Sequence, residues 1–225
     1  MLYLFPVLCV VFLLVFMYLE YKKDYVPAVC LKGTASVCFV LFGILCSRSC
    51  PDAAFSRLIV TGLILGMTAD VLLNLRFVFA KKGQLIFLVG ILVFLSGHVL
   101  YLAAILPLCG CKLACCAVGA VLTALLMMWI FKRITAKKAF KIFGVVYIGA
   151  IVLLNCVAIA NLIAAPSPFT ALFAAGAVFF LVSDVVLILN TFGSETKQSL
   201  RVTNVMLYYV GQLLIALSLM FAGRL

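Results

Sequence analysis

Charge is what this sequence has least of. Only 10% of its 225 residues are Asp, Glu, Lys or Arg, only six are acidic, and there is one His and one Trp. Soluble domains are about a quarter charged, so a folded domain with an ordinary wet surface is excluded. There is no Gly-x-Ser-x-Gly elbow and no phosphate-cradling glycine loop, which removes the usual signatures of serine hydrolases and nucleotide binders. Ser96 and His98 are two residues apart, on opposite sides of a helix, and cannot form a dyad directly. A lone His without a second His or a Cys beside it does not make a zinc pattern. No metal and no cofactor is therefore expected. The six prolines are scattered, and no linker or low-complexity stretch interrupts the chain, so residues 1–225 read as a single integral membrane domain.

What fills the sequence is apolar: 68% of the residues are hydrophobic and the mean hydropathy is +1.38. A bilayer span takes about 20 apolar residues. Eight stretches qualify, at approximately 2–19, 27–46, 57–78, 84–106, 112–131, 140–163, 169–190 and 203–222. They are continuous runs rather than alternating ones, which selects helices over a barrel as the way to satisfy the backbone in hydrocarbon. The first stretch lacks a basic leader and a small-x-small cleavage site, and reads as a retained helix rather than a signal peptide. The expected fold is an all-α, polytopic membrane helix bundle of about eight transmembrane helices.

Net charge is +11, but the cations sit in short loops, not on the continuous basic face that nucleic acid requires. Thirteen cations follow spans one, three, five and seven: Lys22, Lys23, Lys32, Arg76, Lys81, Lys82, Lys132, Arg133, Lys137, Lys138, Lys141, Lys197 and Arg201. The other side holds Arg48, Arg57, Lys112 and Arg224. The positive-inside rule then places the thirteen in the cytoplasm and both termini outside. The longest loop, around Glu195, is about twelve residues, and Pro166-Ser-Pro168 ends span six and turns the chain into span seven. Of the ten cysteines, Cys9, Cys38, Cys46 and Cys156 lie inside apolar spans as small hydrophobes. Cys109, Cys111, Cys115 and Cys116 cluster at one helix end and read first as small residues closing it, with metal ligation, acylation or a bridge as the alternatives.

One polar mark occurs twice. Gly62, Asp70 and His98 recur as Gly176, Asp184 and Gln212, each displaced by 114 residues. Four spans make up that offset, an even number, so the two copies enter the membrane in the same orientation. A four-plus-four parallel internal repeat, related by a pseudo-two-fold axis along the membrane normal, is expected. Gly62, Gly66, Asp70 and Asn74 follow each other at every fourth position and share one helix face. Small residues there allow close helix approach and turn the polar groups away from lipid. An intramembrane carboxylate costs roughly 2.5 kcal/mol or more, so Asp70 and Asp184 are the candidate functional residues. Their bland alternative is structural pairing with a cation such as Arg76 or Arg201. Two buried carboxyls in different surroundings suit acid–base work, one holding its proton and one ionised. His98, Gln212, Asn74 and Tyr208 are the candidate supporting residues. A proton-coupled carrier and a non-catalytic lipid-binding protein are the alternative functions.

These residues also carry a family resemblance. Ala69-Asp70-Val-Leu-Leu, Phe87-x-x-Gly90-x-x-x-Phe94-x-x-x-His98-x-x-Tyr101, Ser183-Asp184-Val-Val-Leu-x-x-Asn190-x-Phe192 and Tyr208-Tyr209-x-Gly211-Gln212-x-Leu214-Ile215 resemble the YhhN family, the multi-pass lysoplasmalogenases. The family often has Gly where this chain has Ala69, and Lys-Pro where it has Lys32-Gly33. The resemblance implies hydrolysis of the vinyl-ether bond of a lysophospholipid to a fatty aldehyde and glycerophospho-ethanolamine or glycerophospho-choline. Asp70 and Asp184 would be catalytic, with His98 and Gln212 orienting them. Lys32, Lys81 or Lys82 would approach the headgroup phosphate, the alternative for Lys32 being snorkelling to the membrane edge. Membrane lipids and the lysophospholipid are the implied partners. The bacterial inner membrane and the endoplasmic reticulum both suit such a chain.

Overall fold

Hydrocarbon offers the backbone no hydrogen-bond partner, so each apolar run must satisfy its own amides, and every one of them does so as an α-helix. A computed structural model describes residues 2–136 and 138–224, without the side chains of Ala139 and Arg224. Lys137, counted above for sidedness, lies outside the described residues. The helices are α1 (Leu4–Tyr21), α2 (Tyr25–Ser47), α3 (Ala53–Val78), α4 (Gly83–Ile105), α5 (Lys112–Phe131), α6 (Lys138–Ala164), α7 (Pro168–Phe192) and α8 (Gln198–Ser218). Short 3-10 segments follow α3, α4 and α8. The described residues include no strand, only an isolated bridge between Ile134 and Gly193. Among the described residues, eight helices are long and apolar enough to cross a membrane; this is a multi-pass membrane protein.

The expected spans and the helices coincide closely, and the one clear difference is at the last connection. Hydropathy leaves about twelve residues between spans seven and eight, whereas α7 runs to Phe192 and α8 begins at Gln198. Polar helix ends such as Thr191 and Gln198–Arg201 are invisible to a hydropathy window but remain helical. The Asn190 side chain accepts from the Lys197 amide at 2.8 Å, which closes the shortened loop. Other boundaries follow local chemistry. Asp52 caps α3 by accepting from the amides of Ala54 and Phe55. Ser167 and Thr170 form a reciprocal capping box at the start of α7, with Pro168 in the first turn. Lys23 takes the left-handed conformation (φ 62°) after α1, and its amide reaches back to the carbonyl of Glu20.

By their internal contacts the residues form two compact units, Met1–Tyr101 with Leu219–Leu225, and Leu102–Ser218. Lipid tails are as apolar as leucine, so helices gain little from hiding leucine from them and instead associate through close packing and polar links. The outer helix α1 shows the consequence. Cys9, Leu13 and Phe16 are buried at helical spacing, while Val7, Val10, Val11, Leu14, Val15 and Tyr18 face outward. In α5 the inward row is Cys115, Gly119, Thr123 and Met127, mostly small residues. Gly119 lies against Leu153 of α6, and Gly149 of α6 against Thr123.

The tightest approaches are the repeated ones. In the first unit, a Cβ on Gly97 of α4 would meet the Gly62 carbonyl oxygen of α3 at 3.2 Å and the Leu65 Cβ at 3.6 Å. In the second, a Cβ on Gly211 of α8 would meet the Gly176 carbonyl oxygen of α7 at 2.9 Å and the Phe179 Cβ at 3.6 Å. Every residue of the second set lies 114 positions after its counterpart. The facing contacts match as well: Gly62 lies against the Tyr101 ring, and Gly176 against Ile215, the residue at Tyr101's place in the second copy. The duplicated sequence therefore builds the same helix crossing in each unit. At Gly176 the obstructing atoms include the Gly211 carbonyl oxygen, at 2.8 Å, which no rotamer change can move. Gly176→Ala is expected to destabilise the protein by about 1–3 kcal/mol. Gly110→Ala, where a Cβ meets nothing within 4 Å, should leave stability within about 0.5 kcal/mol. Unfolding midpoints in detergent measure both.

Candidate active site

In the first unit the site is built on α2 and α3. The 3.6-residue period that aligns Gly62, Gly66, Asp70 and Asn74 buries all four on one face of α3. Facing them, Lys32 and Ser36 lie one turn apart on α2, both buried. The Lys32 ammonium stands 3.0 Å from Asp70 Oδ1, and Ser36 Oγ donates to Asp70 Oδ2 at 2.8 Å. Each carboxylate oxygen thus has its own donor, and Asp70 is only 1% exposed. Lys32 Nζ also lies 5.6 Å from the centre of the Phe16 ring on α1. Lys32 therefore points into the unit and not outward. Arg76, one of the cations named above as a bland partner for a buried Asp, lies against the rings of Phe77 and Phe87, with centroid distances of 4.6 and 4.5 Å.

His98 on α4 is 1% exposed. Its Nδ1 is 2.8 Å from the carbonyl oxygen of Phe94, one turn back. If Nδ1 carries the proton and donates, Nε2 is the acceptor nitrogen. Asn74 is buried on the Asp70 face of α3.

The second unit repeats the placement with different chemistry. Asp184 on α7 is 2% exposed and accepts a hydrogen bond from the Tyr147 hydroxyl of α6 at 2.9 Å. Gln212 on α8 donates from Nε2 to the hydroxyl of Tyr208 at 3.2 Å, four residues back, as His98 turns to residue 94. Tyr208 and Tyr209 are both buried, so they pack inside the unit and do not form a surface aromatic belt. Tyr208 meets Phe180 edge-on, with ring centroids 5.2 Å apart. Beside Asp184, Ser183 Oγ donates to the Asn204 carbonyl, and Asn204 Nδ2 donates to both the carbonyl and the hydroxyl of Ser183. This clasp fixes α8 against α7 and so sets the rotation of the helix that carries Asp184.

Ser36 and Tyr147 are the partners that sequence reasoning left out. Ser36 was available from its spacing: it falls four residues after Lys32, on the same helix face. Tyr147 is a single hydroxyl in a long apolar run, which hydropathy does not distinguish from an anchor. Subtracting the repeat offset from it gives Gly33, the neighbour of Lys32, so the duplicated frame does point to this part of α6.

The model of the YhhN family matches residues 27–219. The chain belongs to the YhhN family. The match runs from α2 to the end of α8 and includes both aspartates, His98 and Gln212. No curated protein and no solved structure matches the chain. Within this YhhN protein, the Lys32–Asp70 pair has a testable energetic signature. Removing one partner of a buried ion pair strands the other charge, at a cost of about 3–5 kcal/mol, whereas replacing both with apolar groups is close to neutral. Lys32→Met is expected to lower stability by about 3 kcal/mol or more, and Lys32→Met with Asp70→Leu to recover most of that loss. Urea or thermal unfolding of the three proteins in one detergent decides it.

Proposed function

We propose that this YhhN protein is a lysoplasmalogenase, an intramembrane hydrolase that cleaves the vinyl-ether bond of a lysophospholipid. The observation that carries this reading is the pair of buried carboxyls at matched positions of α3 and α7, each held by donors from the preceding helix. A carboxyl so placed costs stability in a membrane protein, and intramembrane ionisable groups mark function by default.

The chemistry follows from the substrate. A carboxylic acid gives its proton to the vinyl carbon two bonds from the ether oxygen. The double-bond electrons form that C–H bond, and the oxygen lone pair delocalises the resulting cation as an oxocarbenium ion. A carboxylate stabilises the cation and takes a proton from the water that adds to the carbon bearing the oxygen. The hemiacetal then collapses, breaking its bond to the glycerol oxygen, which leaves as a hydroxyl. The other product is a fatty aldehyde. Asp70 and Asp184 carry these roles, supported by Lys32, Ser36, Tyr147, His98 and Gln212.

The test is product analysis with purified protein in detergent. The wild type is expected to release aldehyde from a 1-alkenyl lysophospholipid and no fatty acid from its 1-acyl analogue. Asp70→Asn and Asp184→Asn should each lose at least about a hundredfold in rate, the range of general acid–base catalysis. Tyr147→Phe removes one hydrogen bond to a carboxyl and should slow turnover by about tenfold or more. Folded wild type that yields no aldehyde from any headgroup variant would reject the reading, and ion-dependent flux in liposomes would then favour a carrier.

A further inference from the structure

The cysteines at the α5 N-terminus belong to neither carboxyl group and stand in an arrangement of their own. Cys109 follows the 3-10 segment Leu106–Leu108, and its amide is tied to the Leu106 carbonyl. Cys111 caps α5, and the Cys115 amide bonds to the Cys111 carbonyl at 3.0 Å. Gly110 between them has open space around it. These constraints bring three sulfurs together: Cys109–Cys115 at 3.7 Å, and Cys109–Cys111 and Cys111–Cys115 each at 3.9 Å.

The near-equality of the three distances is informative. With metal–sulfur bonds of about 2.3 Å, the sulfurs of a tetrahedral site are about 3.8 Å apart and those of a trigonal site about 4.0 Å. A disulfide needs about 2.05 Å. The observed triangle has the dimensions of one face of a thiolate site and not of a bridge. Cys109 and Cys115 are buried while Cys111 is exposed, which gives an entry path to an otherwise enclosed sulfur set.

We propose that Cys109, Cys111 and Cys115 form a binding site for a soft, thiolate-seeking cation of the Zn(II) or Cu(I) class. Three sulfurs without imidazole or carboxylate select such ions over Mg²⁺, Ca²⁺ or Mn²⁺. A three-ligand set leaves a tetrahedral ion one coordination position open, which an exchangeable ligand fills. The site stands apart from the ether-lipid reading, and either holds if the other fails.

Full-length protein, reduced and purified in detergent, is titrated with Cd²⁺, whose bonds to thiolate give a charge-transfer absorption in the ultraviolet. One saturable equivalent is expected, displaced by Zn²⁺. Its absorbance should disappear in Cys109→Ser and Cys115→Ser and persist in Cys30→Ser and Cys50→Ser. Cys111 is exposed, so Cys111→Ser should fold as the wild type does while losing more than about tenfold in Cd²⁺ affinity. Undiminished affinity in Cys111→Ser overturns the site. So does the absence of a saturable equivalent, or a native Cys109–Cys115 disulfide in protein that takes up no cadmium once reduced.

Discussion

The rest of the structure depends on keeping a carboxyl group inside a membrane helix. Water is not available to solvate it, so its cost must be met by groups the protein supplies. For Asp70 these are an ammonium and a hydroxyl, one for each oxygen. For Asp184 the preceding helix supplies the Tyr147 hydroxyl. Both solutions require the helix that carries the Asp and the helix before it to hold a fixed rotation. In the second unit the Ser183–Asn204 clasp and the Gly176–Gly211 crossing provide that restraint for α7. In the first, the Gly62–Gly97 crossing does the same for α3.

Duplication explains why the two carboxyls share a frame and not their partners. The helix crossings leave little or no room for a side chain, and glycine stands at both copies of each position. The polar partners are less constrained by space. Lys32 corresponds to Val146 and Ser36 to Ala150, whereas Tyr147 corresponds to Gly33. The donors of the two halves thus lie one residue apart on equivalent helices. His98 and Gln212 differ in the same manner: each is 1% exposed and reaches back one helical turn, one as an imidazole and the other as an amide. Two carboxyls in chemically different surroundings are the condition for one to act as acid and the other as base.

Much of this was legible beforehand because the membrane imposes simple rules. Helix number follows from apolar run length, and the inward face of α3 follows from the four-residue spacing of Gly62, Gly66, Asp70 and Asn74. The 114-residue offset pairs Gly62 with Gly176 and His98 with Gln212, but that Gly62 meets Gly97 and Gly176 meets Gly211 comes only from the packing. Partner identity was not legible, because a helix face shows which way a side chain points but not what meets it. Lys32 illustrates the limit: from sequence it sits near the end of a span, where snorkelling is the ordinary behaviour of lysine. Only the packing of α2 on α3 turns it inward. The thiol triangle was hidden for a similar reason, since its shape depends on the 3-10 turn at Leu106–Leu108 and on the cap of α5.

The claim that these carboxyls protonate carbon is tested most directly by running the reaction in D₂O and analysing the aldehyde by mass spectrometry. Carbon protonation predicts one deuterium on the carbon next to the aldehyde carbon, in aldehyde reduced to the alcohol as it forms so that enolisation neither adds nor removes label, together with a slower rate than in H₂O. Aldehyde released without deuterium at that carbon would contradict the account, because the vinyl ether would then have been opened without an acid acting on carbon.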